Sequence, residues 1–253
     1  MKVLFIGDIY GKPGLDMLQL HLPELKNIHR PNIIIVNGEN ASHGRGLSLR
    51  IYKELMSMGI HAITMGNWVW GNKELFDFID GSNVVRPFNF REAPGKGHLV
   101  LNYNGTKLLV INALGRTFMN ANMECPFIGI DKILEQEPAD YVFVDIHAEA
   151  TSEKVALGHY LDGRVSAVVG THTHVPTADE RVLPQGTLYI TDVGMTGPLN
   201  GVIGVTKEIV LDRFINGFSI PNEVAPGIKQ LNAVIMDFQK KTISRIHIES
   251  ETV

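Results

Sequence analysis

Five strand-length apolar runs, each stopping at a residue of metal-ligating type, constrain this chain more than any other feature of it. They are "VLFIGD" (Val3 to Asp8), "IIIVNGEN" (Ile33 to Asn40), "HAITMGN" (His61 to Asn67), "YVFVDIH" (Tyr141 to His147) and "RVSAVVGTH" (Arg164 to His172). Continuous β-branched runs of this kind are what strands covered on both faces look like, since a strand with one wet face alternates instead. Their endings supply Asp8, Glu39 with Asn40, Asn67, His147, and His172-Thr173-His174. One such ending is ordinary, because Asp and Asn often begin a turn or cap the next helix. Capping alone does not explain five, and the carboxyl edge of the strands is where sites assemble in α/β sheets.

Between the runs lie helical patterns. "LDMLQLHLPELKNIH" and "LSLRIYKELMSMG" carry apolar residues at helical spacing, and the second closes at Gly59 as a C-cap would. "TSEKVALGHYLDG" opens with Thr151 as an N-cap followed by Glu153, a capping-box pattern. Asn104-Gly105 between two strand runs is a hairpin signal, and "LNAVIMDF" and "TISRIHIE" flank Gln239-Lys240-Lys241 as a final antiparallel pair. Parallel and antiparallel strands together favour two packed mixed sheets with helices outside them over a purely doubly wound sheet. The stretch from Ile215 to Ile228, rich in Gly, Pro and Asn, reads as a surface excursion. A chain of 253 residues, 44% hydrophobic and 20% charged, suits one α/β domain over 1–253.

Composition narrows the partners. A net charge of -4 leaves no electrostatic footprint for duplex DNA, although a small nucleotide needs only a local site. No apolar run approaches the ~20 residues that cross a bilayer. The apolar core of "MKVLFIGDIYGKPG" is too short for a signal peptide. The single Cys125 excludes an internal disulfide and fits a reducing cytoplasm, so a cytoplasmic, membrane-free protein is expected.

The strand-end residues comprise three imidazoles (His147, His172, His174), two carboxylates (Asp8, Glu39) and two amide oxygens (Asn40, Asn67). That shell, without thiolate, suits Mn, Fe or Zn, whereas Mg and Ca rarely recruit three histidines. Seven groups are too many for one tetrahedral zinc but enough for two metals about 3.5 Å apart sharing a carboxylate. His172-x-His174 on an extended segment would point both rings to one side. Taken singly, Asp8, Asn40 and Asn67 read as turn residues and His147 as a hydrogen-bonded core histidine. Glu39 resists such a reading, because a carboxylate at the end of "IIIV" is expensive to bury unpaired. "GTHTHVP" is the most specific piece. "GDIYGKPG" lacks the spacing of either common nucleotide-binding loop. Arg45 in "GRG" reads either as a grip on a phosphate oxygen or as an exposed loop residue.

"GD" after the first run, "GEN" after the second, "GN" after the third, then "HAEATSEK" and "GTHTHVPTAD", resemble the YmdB-like branch of the calcineurin-like metallophosphoesterases, nearly end to end. The resemblance implies a four-layer α/β/β/α sandwich with a dinuclear centre at the sheet edges. It also implies phosphodiesterase activity on cyclic nucleotides, including 2′,3′-cyclic forms, and a homo-oligomer. By position, Asp8, Glu39, Asn40, Asn67, His147, His172 and His174 would be the ligands, with Glu39 bridging. Asp8, Asn40 and His174 would complete one coordination sphere, and Asn67, His147 and His172 the other.

The chain departs from the family pattern after Asn67. That pattern places a proton-donating His where this chain has Trp68, and Gly71 stands where Asp or His is common. An indole can stack on a base and donate a hydrogen bond, but it is no general acid, a role worth ~10²–10⁴-fold in rate. Three outcomes follow: only esters with good leaving groups are cleaved, another histidine such as His43 serves, or the chain binds metals and nucleotide with little turnover. A hydrolase of non-phosphate bonds would use the same ligands.

Overall fold

The computed structural model describes residues 1–90, 92–119, 123–217 and 220–250. Its strands are β1 (Lys2–Ile6), β2 (Asp8–Ile9), β3 (Ile33–Asn37), β4 (Ala62–Thr64), β5 (Val84–Val85), β6 (His98–Tyr103), β7 (Thr106–Leu114), β8 (Tyr141–His147), β9 (Ala167–Thr171), β10 (Arg181–Val182), β11 (Leu188–Ile190), β12 (Met195–Pro198), β13 (Lys229–Asp237) and β14 (Thr242–Ser250). The helices are α1 (Gly11–His29), α2 (Leu49–Ser57), α3 (Leu75–Phe78), α4 (Pro126–Gln136), α5 (Thr151–Leu161) and α6 (Lys207–Asn216).

The first sheet runs β2-β12-β13-β1-β3-β4-β5, with β14 along the other side of β13. β1, β3, β4 and β5 are mutually parallel, and β13 is antiparallel to β1. The second sheet runs β10-β11-β9-β8-β7-β6, parallel from β11 to β7 and closed by antiparallel pairs at both edges. Both sheets are therefore mixed.

Alternation along the strands builds three apolar layers. Val3, Phe5 and Ile35 of the first sheet meet Val110, Phe143 and Val169 of the second. The Phe5 and Phe143 rings pack with centroids 5.2 Å apart. The opposite faces, Leu4, Ile6, Ile34 and Val36, lie under Leu18, Leu22 and Leu55 of α1 and α2. On the far side Val144, Ile146 and Val168 lie under Ile130, Leu157 and Leu161 of α4 and α5. Both faces of each central strand are dry, which is why the runs are continuously apolar. Each such side chain contributes roughly 1.5–3 kcal/mol by leaving water. The result is the expected four-layer α/β/β/α sandwich.

Local signals behave as their chemistry dictates. Asn104 (φ 51°) and Gly105 (φ 86°) form the tight β6–β7 turn, which needs two left-handed residues. Ser48 caps α2 by accepting the Ile51 N–H, and Gly59, just past the cap residue Met58, takes φ 82°.

Two expectations change. Thr151 does not cap α5; the cap residue is Ala150, with no side-chain bond. Glu153 instead accepts the N–H groups of Arg116 and Thr117, tying α5 to the segment after β7. His172 and His174 are not on an extended segment, since β9 stops at Thr171 and their φ angles are 99° and 64°. The strand stops where Lys154 donates to the Thr171 carbonyl at 2.7 Å and Asp192 accepts the Thr173 N–H at 3.1 Å. Within 215–228, residues 218 and 219 lie outside the described set. The remainder is mostly exposed, as a surface excursion would be, and is pinned to the body by Thr206 N–H donating to the Glu223 carbonyl and Ala225 N–H to that of Gly204.

Candidate metal centre

The carboxyl edges of the two sheets converge, and each sheet brings a different kind of donor. From the first come oxygens: Asp8 at the start of β2, Glu39 and Asn40 in the turn after β3, and Asn67 after β4. From the second come nitrogens: His147 at the end of β8, and His172 and His174 after β9.

His147 Nε2 lies 3.0 Å from Glu39 Oε1, 3.1 Å from Asn67 Oδ1 and 3.0 Å from His172 Nδ1. Its other nitrogen, Nδ1, is 2.9 Å from Thr171 Oγ1, whose own hydroxyl donates to Asp145 Oδ1 at 2.7 Å. The proton of His147 is assigned to Nδ1 by that network, leaving a lone pair on Nε2. His174 Nδ1 is 2.9 Å from the Ile203 carbonyl, which only accepts, so its Nε2 also presents a lone pair, 3.2 Å from Asn40 Oδ1. Asn40 is turned to present that oxygen because its amide nitrogen donates to the Gly44 carbonyl at 2.9 Å. His172 Nε2 sits 3.0 Å from Glu149 Oε2, which places the His172 lone pair at Nδ1. Each imidazole thus has a partner behind it and a lone pair aimed inward, the arrangement that second contacts impose on metal-bound histidines.

Charge points the same way. Asp8, Glu39, Asp145 and Asp192 are all buried at or just behind the strand ends, and Lys154 is buried with them, paired with Asp192 at 2.7 Å. Burial, reinforced by Asp192, Glu39 and Asp145, pushes the Asp8 carboxyl well above its usual range. Burial raises Glu39 to about 7 and Asp145 to about 6. Burial, with the neighbouring His147, holds His172 down at about 4. Asp8 Oδ1 is buried without a hydrogen-bond partner. Converging lone pairs, excess buried carboxylate and an orphaned carboxylate oxygen fit divalent cations, which would satisfy all three. Glu39, His147 and His172 place donor atoms within 4.8 Å of one another. Gly66 makes the cluster possible, because a Cβ there would overlap Glu39 Oε2 and His147 Nε2.

A cavity of about 520 Å³ opens over these groups, lined by Tyr10, Glu39, Arg45, Trp68, His172 and His174 among others. The Trp68 backbone N–H donates to Glu39 Oε2 at 3.0 Å, its indole is 38% exposed, and Arg45 lies over it with the guanidinium carbon 4.2 Å from the ring centroid. His43, exposed with φ 54°, lines a neighbouring hollow shared with Arg45 and not this cavity. It is not placed to serve as a proton donor in this cavity.

Sequence reasoning missed what lies behind the histidines. Asp145 of β8 accepts from Thr171, Asn37 and Thr64, so it also staples the two sheets together. Its signal was present, a carboxylate in the middle of "YVFVDIH". Lys154 gave none, because a lysine on a helix is ordinarily solvated.

The sequence model of the YmdB-like protein family matches residues 4–250. A relative from Bacillus subtilis (strain 168), named 2',3'-cyclic-nucleotide 2'-phosphodiesterase, is 50% identical over 253 residues, covering 98% of this chain and 96% of its own. A hypothetical protein from Thermus thermophilus has a crystal structure that superposes with a TM-score of 0.95 at 46% identity, covering 98% of this chain and 99% of that one. The crystal structure of a phosphatase from Mycoplasma pneumoniae superposes at 0.93 with 38% identity, covering 99% and 94%.

Proposed function

The chain belongs to the YmdB-like family, and from that premise we propose that it is a phosphodiesterase acting with two divalent metal ions on cyclic nucleotides or related phosphodiesters. The observation that carries the reading is the meeting of inward lone pairs around buried Glu39. In this reading Glu39 would serve both ions, Asp8, Asn40 and His174 would hold one, and Asn67, His147 and His172 would hold the other. The donor set favours Fe or Mn, with Zn next. Bound there, the ions would supply an acidified water and draw charge from the phosphoryl oxygens.

The chain's own residues position everything else. Asp145 and Thr171 fix the His147 proton on Nδ1, and the Ile203 carbonyl fixes that of His174. The cavity is of a size for a mononucleotide, since small-molecule sites run to about 300–1,000 Å³. The name of the Bacillus relative supports a 2′,3′-cyclic nucleotide as substrate. Among the described residues no helix is long and apolar enough to cross a membrane. A cytoplasmic homo-oligomer completes the reading, checked by light scattering.

Glu39→Gln should abolish Mn-stimulated hydrolysis of bis-p-nitrophenyl phosphate. Protein shown to hold two metals yet inactive on every phosphodiester overturns the reading. One observation favours a second reading, a metal-loaded nucleotide-binding or regulatory protein: Trp68 occupies the cavity wall where an acid would serve. In that case wild type binds 2′,3′-cyclic AMP without cleaving it, and Trp68→His creates turnover.

A further inference from the structure

Trp68 and Gly71, the two positions set apart in the segment after Asn67, flank the same residue, Arg45. The Arg45 guanidinium is stacked on the Trp68 indole. On the other flank, a Cβ on Gly71 would lie 3.2 Å from the Arg45 Cβ and 3.2 Å from the Gly46 nitrogen. Gly71 therefore lets the 44–46 loop come close. Gly46, at φ 72°, is fixed as glycine in turn, because a Cβ there would collide with the Asn72 backbone nitrogen. Asn72 then ties the two loops by donating its side-chain amide to Ser42 Oγ at 3.3 Å.

Three groups besides Arg45 compete to serve a leaving group. His43 does not line the cavity. Glu149 is engaged as the acceptor of His172 Nε2. Tyr10 lines the cavity with its ring set edge-on to His174, centroids 5.6 Å apart. Arg45 is a planar cationic donor pre-oriented by an aromatic face and opening on the same cavity as Glu39 and His174.

We propose that Arg45, held in place by Trp68, steadies the departing oxygen in this chain, a fixed charge serving instead of a proton donor. The inference rests on the phosphodiesterase reading. A water oxygen forms the new bond to phosphorus, and the bond to the leaving oxygen breaks with its electron pair. The guanidinium donates hydrogen bonds to that alkoxide without giving up a proton. The alkoxide then takes a proton from solvent, balancing the one released by the attacking water. Arg45 is thus a catalytic residue and Trp68 a positioning residue.

The test uses the Mn-loaded full-length protein and two substrates that differ in their need for help. The p-nitrophenolate of bis-p-nitrophenyl phosphate departs readily, whereas 2′,3′-cyclic AMP must expel a ribose alkoxide. Arg45→Ala should lower kcat on the cyclic nucleotide by about 10²-fold, the effect of removing one preorganised donor, and change bis-p-nitrophenyl phosphate by no more than about threefold. Arg45→Lys should fall between, keeping the charge without the fork. Trp68→Ala should match Arg45→Ala on the cyclic nucleotide, and the double variant should be no worse than either. Apart from turnover, the emission of Trp68, read in a Trp70→Phe background without metal, should shift when Arg45 is replaced by Ala. An equal loss on both substrates, no loss on either, a Tyr10→Phe loss exceeding that of Arg45→Ala, or an unchanged emission overturns the proposal. A wild type inactive on both substrates overturns the phosphodiesterase reading as well, whereas an active wild type indifferent to Arg45→Ala overturns this inference alone.

Discussion

The two sheet edges that meet at the centre are built on different plans. The second sheet presents nitrogens, and a contact behind each imidazole fixes its tautomer: Thr171 and Asp145 behind His147, the Ile203 carbonyl behind His174, Glu149 behind His172. Beneath them the buried Lys154–Asp192 pair holds the Thr171 carbonyl, the Thr173 N–H and the Thr173 hydroxyl. The first sheet presents oxygens on loops. Glu39 is steadied by the Trp68 backbone N–H, and Asn40 by the Gly44 carbonyl. At His147 the second edge is wired through side chains in the interior, whereas Glu39 and Asn40 of the first are steadied by backbone groups of neighbouring loops. Trp68 and Arg45 belong to the first edge, beside the cavity and apart from the buried charges of β8 and β9.

The sharpest way to break that contrast is to cut the wiring. Lys154→Met leaves Asp192 ionised, buried and unpaired, and should cost about 3–5 kcal/mol in denaturant unfolding. A loss below about 1 kcal/mol would mean that the pair is replaceable by packing and that the nitrogen edge owes its order to something else. Adding Asp192→Leu should recover much of the loss, since replacing both partners removes the orphaned charge.

Next comes the seam between the edges. Gly66→Ala changes no ligand, yet its methyl would overlap both Glu39 Oε2 and His147 Nε2. Metal-site distances tolerate only about 0.2 Å, so Mn affinity measured by calorimetry should fall on the order of 10²-fold or more. Unaltered affinity would show that the two edges can move apart freely, against the staple formed by Asp145, Asn37 and Thr64. Asp145→Asn is the milder cut. Three donors now converge on this carboxylate, and an amide would offer one of them a donor in return. A 10–100-fold loss of Mn affinity with the fold intact is the expected result, roughly the usual cost of removing a second contact.

How much of this the sequence carried follows the same division. The strand ends were legible because continuous apolar runs are rare outside doubly covered strands, and a ligand-type residue at the end of each stands out against them. Two packed mixed sheets with helices outside were legible from hairpin signals standing beside parallel-type runs, and the four-layer sandwich from the family resemblance. What supports the histidines was not, apart from Asp145, because a buried Lys154 on a helix looks like any solvated lysine. The path of His172 and His174 was misread because the strand ladder is ended by long-range bonds from Lys154 and Asp192, which no local periodicity records. Glu153 was misassigned as part of a cap because Arg116 and Thr117, distant in sequence, offer it N–H groups. In each case the missing information is a contact between residues far apart along the chain.

The smallest effect is expected on the oxygen edge, and it is the one that separates the two plans most cleanly. Gly71→Ala adds a methyl 3.2 Å from the Arg45 Cβ, close enough that the 44–46 loop must give by a few tenths of an ångström. The loop is exposed at Arg45, so stability should change by less than about 1 kcal/mol. The loop also reaches the ligands, through the Gly44 carbonyl that orients Asn40 and the Gly46 N–H that donates to the Glu39 carbonyl, so Mn affinity stays at the wild-type value only where the shift is taken up at Arg45, which is the expected result. The Arg45–Trp68 stack should loosen, seen as a shift in Trp68 emission. If Mn affinity falls with the stack, the loops and the ligands form one unit and the contrast between the edges fails. If only the emission moves, the oxygen edge is a scaffold on which the residues around the leaving group can be exchanged while the metal ligands stay where the strands put them.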